Sequence, residues 1–246
     1  MARTFPETVP RSIPAIALHL AAFASLTWSF HELFRPSPIS DFMTSQYGGH
    51  WQYLTILSLG AAWLTFLFAL LKDAFPSVNL FARCKTSLSL IATPVEGFVG
   101  VMYWTLMAID PALLVPPNPL FVLPFKLDVS IHGLPAAFLW LDFLAFSPPF
   151  PKAARPVRLS VAAVLAYTTW MELVASKNGR FPYPFLDDMT QVQRSLFYLV
   201  QIPLVLGLFR TANGLHHLVR GTNAPNEARH VKAAESKARR ELVGRL

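Results

Sequence analysis

WQYLTILSLGAAWLTFLFALL, residues 51–71, runs for 21 residues without one charged side chain. A helix rising about 1.5 Å per residue crosses the hydrocarbon core of a bilayer in about 20 residues, so this stretch has the length and character of a spanning helix. Working outward, five more windows of the same kind can be drawn, at 14–34, 91–115, 123–146, 157–176 and 190–210. Little of the 246-residue chain is left over for a soluble domain. Composition agrees, with 53% of residues hydrophobic and 14% charged, against about 25% charged in an ordinary soluble domain. The predicted fold is all-α, an integral membrane bundle of six transmembrane helices, with a tail at 1–13, a transmembrane domain at 14–211 and a basic tail at 212–246.

The net charge of +7 invites a nucleic-acid partner, but its placement argues against one. If six helices alternate, both termini lie on one side. The opposite side then holds Arg35, Lys126, Lys177, Arg180 and Arg194, and the other sixteen of the 21 Lys and Arg lie on the side of the termini. Positive charge marks the cytosolic side, so both termini are predicted to be cytosolic. The tail ARHVKAAESKARREL (228–242) reads either as a basic helix resting on anionic lipid, each basic residue near the surface contributing about 1 kcal/mol, or as a solvated tail that enforces topology. AFA at 22–24 imitates a signal-peptidase site, but the apolar run continues through Trp28 and Phe30, and a retained helix is expected. Cys84 is the single cysteine, so no internal disulfide can form. The seven histidines are scattered over tails, ends and different sides, and no metal or cofactor is expected.

Ionisable residues inside a bilayer are costly and tend to face the bundle interior or a polar cavity. Here they are His19, Glu96, Asp110, Asp128, His132, Asp142 and Glu172. His19, Glu96 and Glu172 fall near window ends, where snorkelling explains them. His132 lies deeper, about 14 Å below the nearer boundary. Asp128, His132, Pro135 and Asp142 share one face of the fourth window. Asp128 stands one turn before His132, close enough to fix its tautomer, and Pro135 is expected to bend the helix nearby. Thr55, about 6 Å inside its window, has two readings. Its hydroxyl bonds back to the carbonyl one turn earlier, or it does chemistry.

Four stretches resemble one known family. YGGHWQYLT (47–55) is similar to the signature of the androgen-induced-gene family of multi-pass membrane proteins, which includes the androgen-dependent regulator of tissue factor pathway inhibitor. TPVEGFVGVMYWTLMAIDP (93–111) resembles its third helix, HGLPAAFLWLD (132–142) its histidine helix, and YPFLDDM (183–189) its Tyr-Pro-Phe-Leu motif, in the same order. The family's animal members are threonine hydrolases that cleave fatty acid esters of hydroxy fatty acids. The resemblance therefore implies Thr55 as nucleophile and His132 as its partner, a lipid ester drawn from the bilayer as substrate, and the endoplasmic reticulum or plasma membrane as location. There are departures: Asp128 and Val129 stand where animal members carry Asn-His, and His50 occupies a position that is often small or polar.

An ester hydrolase also needs donors for the oxyanion. The backbone of Gly48 and Gly49, the Trp51 indole and the Tyr183 hydroxyl are candidates, with Asp128 as the group that orients His132. Two other classes stay open. One is a proton- or ion-coupled transporter using the polar stripe of the fourth helix, although the half of the bundle nearer the termini offers it chiefly Asp142. The other is a non-enzymatic scaffold whose stripe only joins helices.

Overall fold

The computed structural model of the protein describes residues 12–115, 122–151 and 154–221. The basic stretch 228–242 lies outside the described residues. All regular structure within them is helical: α1 (Ile13–Phe34), α2 (Pro38–Thr44), α3 (Leu54–Ala74), α4 (Asn79–Ile109), α5 (Phe125–His132), α6 (Leu134–Phe146), α7 (Pro156–Asn178) and α8 (Gln191–Gly221), with short 3-10 turns at Gly49–Gln52, Pro111–Leu113 and Pro184–Leu186. Six stretches are long and apolar enough to cross a membrane, counting α5 and α6 as one. Leucines and valines such as Leu141, Leu165, Leu199 and Val200 are exposed on the outer surface, where a bilayer is the solvent. The chain is a multi-pass membrane protein built as a six-span bundle.

Local chemistry sets the ends. Ser12 caps α1 by accepting the Ala15 N–H (3.2 Å), with Pro14 in the first turn. Ser37 and Pro38 do the same for α2. Between α2 and α3 the chain turns through Gly48 (φ +87°) and Gly49 (φ +53°), both left-handed, a conformation that side chains with a Cβ resist. The fourth span breaks at Gly133 (φ −129°, ψ −54°), just ahead of Pro135. The proline ring disturbs the turn that precedes it, so the break falls directly after His132.

Three expectations need correction. α4 begins at Asn79, twelve residues before the window drawn from 91, and α8 continues to Gly221, past the boundary at 211. Both extensions carry polar residues that lower the hydropathy yet are buried. Lys85, between the windows drawn at 51–71 and 91–115, lies in α4 at 4% exposure, with Nζ 2.8 Å from Asp142 Oδ2 and 3.0 Å from Ser147 Oγ. His216, assigned to the tail, is buried in α8 and donates from Nε2 to the Ser147 carbonyl (2.9 Å). Nor do His19 and Glu96 snorkel: each is 1% exposed, Glu96 in the middle of α4, and His19 has Nδ1 against Asp73 (2.5 Å) and Nε2 against Asp142 (2.8 Å). His19, Asp73, Lys85 and Asp142 thus form one buried ionic cluster that ties α1, α3, α4 and α6 at the end of the bundle nearer the termini. Glu172 does remain near its helix end, pairing with Arg194 (3.1 Å) and accepting from the Tyr198 hydroxyl (2.9 Å). Asp110 caps the turn after α4.

The apolar core runs along α1, α3 and α6 through Leu26, Leu33, Leu59, Phe66 and Leu139, all fully buried. At the end away from the termini, Gly100 of α4 lies against α5, and a Cβ there would sit 3.1 Å from the His132 carbonyl oxygen. This close approach brings α4 onto the histidine.

Candidate active site

The N-terminus of α3 is held by two tyrosines instead of a side-chain cap. The Leu54 N–H donates to the hydroxyls of Tyr167 (3.0 Å) and Tyr183 (3.1 Å), and Tyr167 O–H donates to the Gln52 carbonyl (3.1 Å). The two hydroxyl oxygens lie 3.2 Å apart. Burial pushes the Tyr183 phenol up, and it pushes neighbouring Tyr53 up to about 12, so both stay protonated donors at neutral pH. Tyr183 reaches α3 from the loop before α8, and Tyr167 from the middle of α7.

Thr55 follows directly. It lines a cavity of about 80 Å³ together with Tyr103, Tyr167, Tyr183 and Gln201, the rest of the wall being leucine, phenylalanine, methionine and valine. Among the described residues its hydroxyl makes no hydrogen bond. Thr27, Thr65 and Thr86 do bond back to the carbonyl one turn earlier, at 2.7, 2.7 and 2.9 Å. The equivalent acceptor for Thr55 is the Trp51 carbonyl, which lies in the 3-10 turn outside α3 and accepts from the Trp170 indole (3.0 Å). Ladder bonding in α3 starts with the Ile56 and Leu57 N–H groups, both on the Tyr53 carbonyl, so the Thr55 N–H has no acceptor either. Side-chain hydroxyl and backbone donor at one residue are both free, at the positive end of a helix.

His132 ends α5 at 8% exposure. Its Nδ1–H donates to Asp128 Oδ1 at 2.8 Å, which leaves Nε2 as the acceptor nitrogen. The Tyr103 ring lies flat on the imidazole, centroids 3.4 Å apart and planes within 5°. Thr55 and His132 are at the same end of the bundle, on the contacting helices α3 and α5. They do not bond each other, and His132 is absent from the cavity wall on which its stacking partner Tyr103 stands.

Of the remaining sequence candidates, Asp128 sits on His132 and Tyr183 on the cavity. Gly48, Gly49 and Trp51 do not reach it. Gly49 N–H is taken by the Gln46 carbonyl (3.0 Å), and a Cβ on Gly48 would be 3.2 Å from Val174 of α7. The Trp51 ring packs outward against Phe30 and Phe34 and borders a separate apolar groove between α3, α4 and α7. The reason is geometric: a tight left-handed turn followed by a 3-10 turn directs these residues away from the start of α3. His50 is a packing residue, stacked on Phe34 (4.2 Å) and donating to the Leu33 carbonyl (3.0 Å), with burial lowering its pKa. Tyr103, Tyr167 and Gln201 were not singled out from the sequence. The one available signal was a tyrosine hydroxyl deep in an apolar window, which is as common in plain packing.

Comparison with known proteins decides the kinship, since the profile described as FAR-17a/AIG1-like protein matches residues 15–217, all six spans. The chain belongs to the FAR-17a/AIG1-like family. Among relatives of this FAR-17a/AIG1-like chain, a UPF0641 membrane protein of Schizosaccharomyces pombe is 31% identical over 211 residues, covering 85% of this chain and 92% of the relative. The androgen-induced gene 1 protein of Homo sapiens is 23% identical over 204 residues, covering 77% and 83%. The androgen-dependent TFPI-regulating protein of Mesocricetus auratus is 23% identical over 177 residues, covering 69% and 77%. No solved structure matches the FAR-17a/AIG1-like chain.

Proposed function

We propose that the protein is a membrane-embedded hydrolase of lipid esters, with fatty acid esters of hydroxy fatty acids as its substrates. The observation that carries this is the unbonded Thr55 hydroxyl on the wall of an apolar cavity, one residue from two tyrosine hydroxyls. Thr55 Oγ1 attacks the ester carbonyl while His132 Nε2 takes its proton. The tetrahedral oxyanion is met by the free Thr55 N–H and the Tyr183 hydroxyl. Collapse expels the hydroxy fatty acid, which leaves with the proton from His132. Water, deprotonated by His132, then cleaves the acyl-threonine and releases the second acid. Transfer requires His132 within about 3 Å of the hydroxyl, a contact that commonly tightens only around substrate. Both termini are proposed to face the cytosol, with the chain in the endoplasmic reticulum or plasma membrane.

Membranes holding wild type, Thr55→Ala or His132→Ala decide the matter. Wild type should release free fatty acid from such an ester, and either variant should lose more than about a hundredfold at equal expression. Full activity in Thr55→Ala removes the nucleophile from this account.

A proton path is a second reading with an observation of its own. Lys85, Ser89, Thr93 and Glu96 form a buried polar face along α4, with Ser89 and Thr93 hydroxyls 3.0 Å apart. Together with His19 and Asp73 this makes the half nearer the termini richer in polar groups than Asp142 alone. Proton flux into vesicles, lost in Glu96→Gln and kept in Thr55→Ala, is the outcome that separates it.

A further inference from the structure

α4 meets the histidine at two points three residues apart. Gly100 admits the His132 backbone, whose carbonyl lies 3.1 Å from where a Cβ would be, and Tyr103 covers the ring at 3.4 Å with nearly parallel planes. Trp104 backs the tyrosine edge-on, centroids 5.2 Å apart. Asp128 takes the His132 Nδ1–H, and the Tyr103 side chain borders the Thr55 cavity. One residue therefore touches both the imidazole face and the space in front of it.

We infer that Tyr103 is a positioning residue for His132: its ring fixes the imidazole plane, while Asp128 fixes the tautomer that leaves Nε2 as the base. The inference rests on His132 serving as the base in the reaction above. An aromatic face also favours a cation held against it, so the stack stabilises the imidazolium that forms when Thr55 gives up its proton. Two substitutions isolate the ring. Tyr103→Phe keeps the stack and removes the O–H, whereas Tyr103→Leu removes the stack.

The test is turnover with an independent chemical readout. Tyr103→Leu is expected to lower kcat about tenfold, and Tyr103→Phe, which keeps the stack, to leave kcat within about twofold. In the second readout, diethyl pyrocarbonate modifies His132 and peptide mass spectrometry follows the rate. Tyr103→Leu should accelerate that rate about tenfold by uncovering the ring, and Tyr103→Phe should leave it within about twofold. Equal losses of kcat in Tyr103→Leu and Tyr103→Phe, or a modification rate unmoved in Tyr103→Leu, overturn the inference. If wild-type membranes hydrolyse no ester, the hydrolase reading fails by itself. The modification rate then decides whether Tyr103 covers and holds His132.

Discussion

A hydroxyl without a partner has nothing to lose when it is removed. Thr55→Val keeps the shape of the side chain and deletes only the oxygen, so thermal unfolding in detergent should move by less than about 0.5 kcal/mol, while ester hydrolysis disappears. A large loss of stability would mean that the hydroxyl is bonded and not free to react. His50 sets a pH dependence. Burial holds its pKa below the ordinary value, so the folded state binds its proton less readily than the unfolded chain. Its contribution is complete above the unfolded value of about 6.5 and is lost as pH falls through it toward the folded value. His50→Gln keeps a donor for the Leu33 carbonyl without titrating, and the fall in melting temperature from pH 7.5 to 5.5 should be smaller in that variant than in wild type. Side-chain chemistry of this kind was only partly legible in the sequence. Asp128 beside His132 follows from one helical turn, but the freedom of Thr55 depends on where α3 starts, which periodicity does not reveal.

Within single elements, the turn that launches α3 is the sensitive part. Gly48 and Gly49 are both left-handed, but their surroundings differ. A Cβ on Gly48 would lie 3.2 Å from both Gln52 and Val174, while one on Gly49 would meet nothing within 4 Å. Gly49→Ala should therefore cost about 1 kcal/mol from conformation alone, and Gly48→Ala should cost more and also lower activity by displacing the start of α3. Equal effects in a paired melting and turnover experiment would show that the crowding is relieved. The spans themselves were legible because lipid-facing and core positions are both apolar. α2 was missed, although Ser37-Pro38 with Asp41 is a helix-start signature, because a seven-residue helix carries little periodicity. The early start of α4 was hidden by Arg83, Lys85 and Ser89, polar residues that hydropathy places outside a membrane, although Lys85 and Ser89 are buried in the bundle, Lys85 through its pairing with Asp142.

For the whole molecule, two buried polar centres lie at opposite ends: the tyrosine-held start of α3 and the His19–Asp73–Lys85–Asp142 cluster. Asp142 is fully buried and in contact with both His19 and Lys85. Asp142→Asn should destabilise the bundle by about 3–5 kcal/mol, since it leaves Lys85 buried beside a neutral group. Lys85→Met combined with Asp142→Leu should recover much of that loss. Melting curves of the single and double variants check this, and a single variant as stable as wild type would mean that water reaches the cluster.

That cluster also constrains biogenesis. His19 and Lys85 belong to the first and third spans to leave the ribosome, yet the carboxylate between them, Asp142, arrives at the far end of the fourth. A lysine released alone into lipid costs about 3 kcal/mol on insertion scales. Asp73 at the end of the second span partners His19 but makes no ion pair with Lys85. The nascent chain therefore has reason to keep its early spans at the insertion machinery until α6 has been synthesised, and to enter the bilayer as a four-span unit instead of helix by helix.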